Sequence, residues 1–92
     1  MNAWIATKDP AKVDAFADQI AAHEPHRIEE VDGDRECAVW LYAVDRIIRE
    51  RTAGFDHRDF PDWGWREVYD DDWSPADAAA DALDDWEQSG DL

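Results

Sequence analysis

From Ser74 to Gln88 the chain reads Ser-Pro-Ala-Asp-Ala-Ala-Ala-Asp-Ala-Leu-Asp-Asp-Trp-Glu-Gln, and one local structure suits it best. Ser74 is a good N-cap, Pro75 fits the first helical position, and Asp77 stands where a capping box places its acid. At about 100° per residue, Ala76, Ala79, Ala82, Leu83 and Trp86 gather on one side. Asp77, Asp81, Asp84, Asp85 and Gln88 gather on the other. The pattern predicts an amphipathic helix over about 75–88. Its apolar side needs a core to pack on, and its outer side is a row of carboxylates with no Lys or Arg between them.

The rest of the chain must supply that core. Ninety-two residues make one domain, 1–92, and a chain of this size buries only about 65% of its unfolded surface. Six Trp residues and an apolar content of 45% argue against disorder in spite of the heavy charge. Asp9-Pro10 is a second capped start, after which Val13, Phe16, Ala17 and Ile20 share a helical face up to Glu24-Pro25. Residues 3–7, 26–32 and 63–69 read as strands, and Asp32-Gly33 reads as a hairpin turn. Residues 35–52 admit two readings. Cys37, Val39, Leu41 and Ala43 alternate as in a strand, with a helix following over 44–52. Cys37, Trp40, Leu41, Val44, Ile47 and Ile48 fit one long helix equally well. The Asp-Gly turn favours the first reading, and Gly54 ends the helix in both. The expected fold is therefore α+β, a small antiparallel sheet with two or three helices. Val13, Phe16, Ile20, Leu41, Val44, Ile48, Leu83 and Trp86 are expected to be mostly buried.

Charge limits the function. There are 24 acids against 9 bases, a formal net charge of −15. Residues 1–53 carry 11 acids and 7 bases, whereas residues 54–92 carry 13 acids and 2 bases. Such a field repels nucleic acid and anionic membranes and attracts basic surfaces. A basic nucleic-acid-binding protein is the natural partner, because its groove is already lined with Lys and Arg. No apolar run approaches the roughly 20 residues that span a bilayer. The first nine residues lack the pattern of a signal peptide. A single cysteine, Cys37, excludes an internal disulfide and fits a reducing cytoplasm.

Candidates for chemistry are sparse. His23 and His26 flank Glu24, and His57 lies near Asp56 and Asp59, but neither group has a zinc or calcium spacing. Asp70-Asp71-Asp72 lacks the alternating ligands of a calcium loop. Cys37 sits in an apolar run that suits an inert thiol. No Gly-rich phosphate loop occurs. No catalytic residue, metal or cofactor is expected.

The carboxylates themselves are the better candidates. Acids near a helix N-terminus are favourable by about 0.3–1 kcal/mol each, which accounts for Asp71, Asp72 and Asp77. Asp84, Asp85 and Glu87 fall in the final turns of the expected helix, where the dipole disfavours them. No base stands three or four residues on to relieve them. A binding role or an adaptation to high salt would each supply a reason. From Asp77 to Glu87, five acids span about 15 Å of helix, close to the phosphate spacing of about 3.4 Å along one DNA strand. Trp63, Trp65 and Trp73 lie among aspartates, and Trp73 is the ring best suited to anchor a basic partner. The candidate partner-binding set is Asp70, Asp71, Asp72, Trp73, Asp77, Asp81, Asp84, Asp85 and Glu87, with Asp56, Asp59 and Asp62 as a secondary patch.

The run Trp63-Gly64-Trp65-Arg66-Glu67-Val68-Tyr69-Asp70-Asp71-Asp72-Trp73, leading into an Asp-lined helix, resembles small acidic phage proteins that imitate DNA. These proteins inhibit CRISPR effectors or restriction enzymes. The resemblance covers residues 55–92 and is one of charge and texture, without a defined family motif. It implies a non-enzymatic inhibitor of the anti-CRISPR or anti-restriction type, acting in the host cytoplasm if phage-encoded. The alternatives are an acidic immunity protein that blocks a basic nuclease and a small binding domain from a halophile.

Overall fold

A computed structural model describes residues 2–60 and 63–90, the side chains of 87–90 excepted. The regular elements are α1 (Ala3–Ala6), α2 (Pro10–His23), α3 (His26–Glu29), α4 (Arg35–Arg51), a 3₁₀ turn (His57–Asp59), α5 (Trp65–Asp70) and α6 (Pro75–Gly90). The described residues contain no strand, so the expected α+β fold is corrected to an all-α one.

Each strand reading fails for a local reason. Residues 3–6 form one helical turn because Asn2 caps it, the Trp4 and Ile5 N–H groups donating to its side-chain oxygen. The Ala3 N–H donates to Asp72 Oδ1 at 2.9 Å. The 26–32 segment makes the short α3 and then turns. Asp32 and Gly33 both have positive φ, as a hairpin turn requires, but here they close a helix. The Gly33 N–H bonds the Ile28 carbonyl and the Asp32 N–H bonds that of Glu29, a Schellman motif. A left-handed Asp-Gly pair is thus compatible with either ending. In α5, Trp65 and Tyr69 turn inward at i and i+4 while Arg66 pairs with Asp70 on the surface.

Of the two readings for 35–52, the structure takes the long helix. Asp34 caps α4 by accepting the Cys37 N–H, and Arg49 and Arg51 occupy its last turn, where cations suit the dipole. All five residues from Cys37 to Leu41 are buried. A helix buried all round has no polar face to reveal its period, so the alternation there carries no information.

α4 is the centre of the fold, with α2 packed on one side and α6 on another. Trp40, Val44 and Ile48 are wholly buried. Ala78, Ala79 and Ala82 are also wholly buried and let α6 lie close against its neighbours. Of the expected core, Ile20, Leu41, Val44, Ile48 and Leu83 are buried, and Val13, Phe16 and Trp86 are partly buried. The expected caps form too: the Ala11 N–H donates to Asp9, and the Asp77 N–H donates to the Ser74 hydroxyl.

Candidate functional site

Two groups of charges stand out, and they are built in opposite ways. The first is a buried network that joins α3, α4 and the 3₁₀ turn. Asp45 lies in the middle of α4 with 0% exposure. Its Oδ1 accepts the His57 backbone N–H at 2.8 Å and lies 2.8 Å from the ring Nδ1. Its Oδ2 accepts Nη1 of Arg27, which is itself buried. The other ring nitrogen of His57 faces Glu30 at 3.2 Å, and Glu30 also accepts Arg58. Burial opposes the charge on Asp45, but bonds from His57 and Arg27 outweigh it and hold the carboxyl below its ordinary value. Glu30 is also held low: burial again opposes its charge, and Arg58 and His57 outweigh it.

This network was not foreseen. Its signal is Asp45 within the apolar stripe Leu41, Val44 and Ile48, and that signal exists only once 35–51 is read as one helix. A buried carboxylate then demands a cation and donors nearby.

The network has little to offer a substrate. Asp45 and His57 resemble two members of a catalytic triad, but both ring nitrogens of His57 are taken by carboxylates. Ligand atoms of Asp45, Asp56 and His57 lie within 4.8 Å of one another, close enough to share a metal ion. The same carboxylates, however, already hold Arg27, Arg49 and Arg58, whose charge opposes a divalent cation there. Burial pushes the Cys37 thiol up to about 12, so it stays protonated at neutral pH.

The second group is the outer face of α6. Asp77, Asp81, Asp84 and Asp85 are all exposed, spread over about 12 Å of helix. Asp71 is exposed just before the helix. No Lys or Arg follows Arg66 in the sequence. Because α6 runs on to Gly90, Asp84 and Asp85 precede its last turn, so the dipole opposes them less than a helix ending at 88 would. Repulsion among acids three and four residues apart remains.

The other sequence-predicted residues divide. Asp70 is exposed and pairs with Arg66. Asp72 is spent on the fold: it has positive φ at the end of α5, and its side chain caps α1. Trp73 is partly buried, its ring packing near Trp63 and its carbonyl accepting Trp40 Nε1 and Asn2 Nδ2. Asp56 and Asp59 form the capping box of the 3₁₀ turn, and Asp56 also holds Arg49 and Arg58. Both thus have a part in the fold, and of the two Asp59 is exposed and Asp56 partly buried. Asp62 and the side chain of Glu87 lie outside the described residues.

Compared with protein-family models, curated proteins and solved structures, the chain shows no match. No helix among the described residues is long and apolar enough to cross a membrane.

Proposed function

We propose that the chain is a non-enzymatic inhibitor that presents a DNA-like row of carboxylates to the basic groove of a nucleic-acid-binding protein. The observation that carries this reading is the outer face of α6, where Asp77, Asp81, Asp84 and Asp85 are exposed in a stretch of sequence with no base after Arg66. Asp71 extends the row, and Asp70 joins it if a partner arginine displaces Arg66. A groove lined with Lys and Arg gives each carboxylate a charge-assisted hydrogen bond. Long-range attraction speeds the encounter, and salt slows it. The partner is of the CRISPR-effector or restriction-enzyme kind, met in the cytoplasm. Inhibition is occupancy: the protein and DNA compete for one groove, with no bond made or broken.

The test is capture from bacterial lysate by the immobilised protein, followed by elution with duplex DNA at constant salt. The expected result is a nuclease or other DNA-handling protein that duplex DNA releases. A captured partner that DNA cannot displace contradicts the reading. So does a protein that stays unfolded at low salt and folds only in molar salt, which is the behaviour of a halophile's domain.

A further inference from the structure

A different part of the surface carries the opposite charge. Five of the chain's nine cations, Arg27, Arg35, Arg49, Arg58 and Arg66, have a carboxylate partner. Of the four that have none among the described residues, three border one groove: Lys8, Lys12 and Arg46. The groove runs between the start of α2 and the middle of α4 and has a volume of about 470 Å³. Its walls include Trp4, Phe16 and Tyr42, all only partly buried, and the one acid at its edge is Asp9. In a chain with 24 acids, three cations without a carboxylate partner among the described residues, beside partly exposed rings, are a marked local departure.

We infer that this groove binds a small amphipathic anion, a single anionic headgroup on an apolar body. The rings and aliphatic walls take the body, and Lys12 and Arg46 on opposite walls hold the headgroup. Lys8 already lies over the Trp4 ring, 4.8 Å from its centroid, and adds its charge to the same rim. The volume lies within the roughly 300–1,000 Å³ range of small-molecule sites. Net charge decides between a small anion and a larger one. A polyacidic segment or an anionic bilayer would meet the field of a protein carrying −15. A lone headgroup seated among three cations is screened from most of that field, over about 8 Å at physiological ionic strength. This site shares no residue with the α6 face, so either inference can fail without the other.

The experiment is a titration of the full chain with decanoate below its micelle concentration, followed by amide and indole NMR shifts. Shifts should centre on Trp4, Phe16 and Tyr42. Decanol, which lacks the charge, should bind about tenfold more weakly or worse, the scale of a lost charged hydrogen bond. The Lys12→Gln, Arg46→Gln double variant should weaken decanoate by a similar factor without affecting decanol. Ala43→Trp, which fills the groove without changing charge, should block both. Saturable binding with shifts elsewhere, equal affinity for decanol, or no binding overturns the proposal. So does a groove that ignores decanoate but takes up an acidic helical peptide or anionic vesicles.

Discussion

The network around Asp45 and the outer face of α6 use the same side chain for opposite ends. Asp45 is sealed among Arg27 and His57, and its charge is part of the fold. The α6 aspartates lie exposed on a helix whose own sequence holds no base. A count of acids cannot separate these roles. What separates them is whether the helix that carries the acid turns it toward a neighbouring element or toward water.

The largest expected effect is at Asp45. Asp45→Ala leaves the buried Arg27 with only the partly exposed Glu24, and removing one member of a buried ion pair costs about 3–5 kcal/mol. In a domain of this size that is a large share of the total, and urea denaturation should show a partly or wholly unfolded chain. A cost below about 1 kcal/mol would place the pair among exposed ones.

Acid should break the same network. The folded-state values of Asp45 and Glu30 lie below the ordinary carboxylate range near about 4, so between the two values the folded chain binds fewer protons than the unfolded one. Their contribution is complete above about pH 4 and is lost as pH falls through the folded values. Urea midpoints measured across the acid range should fall in the parent and fall less steeply in Asp45→Asn. Parallel curves would remove Asp45 from the acid response.

A smaller effect sharpens the reading of turns. Asp32 holds positive φ at the end of α3 with an exposed side chain, where Gly is the usual residue. Asp32→Gly should raise stability by up to about 1 kcal/mol. Asp72 has the same backbone but also caps α1, so Asp72→Gly should gain less or lose. Equal effects at the two sites would show that the Asp72 cap is worth nothing.

Both ends of the chain's helical frame were legible in sequence. Asp9-Pro10 and Ser74-Pro75 are capped starts whose side chains bond as expected, and of the expected apolar face of α6 Ala79, Ala82 and Leu83 are buried and Trp86 partly so, whereas Ala76 is exposed. The middle was not legible. Asp32-Gly33 fixes a left-handed backbone without fixing which element precedes it, and the Cys37 to Leu41 run is buried on every side. The face of α6 was readable because half of that helix is polar. The capping role of Asp56 and Asp59 was not legible, because sequence showed their turn only as a loop.

The smallest effect on the fold should accompany the largest effect on function. Changing Asp81, Asp84 and Asp85 together to Asn alters only exposed positions, so stability should move by no more than about 0.5 kcal/mol. The decisive measurement is the affinity of this variant and of the parent, at low salt, for the DNA-handling protein that the parent captures. The account predicts a loss of about tenfold or more with the fold intact, as charge-assisted bonds disappear from the interface. A variant that binds and inhibits as well as the parent would show that the α6 carboxylates are merely solvated.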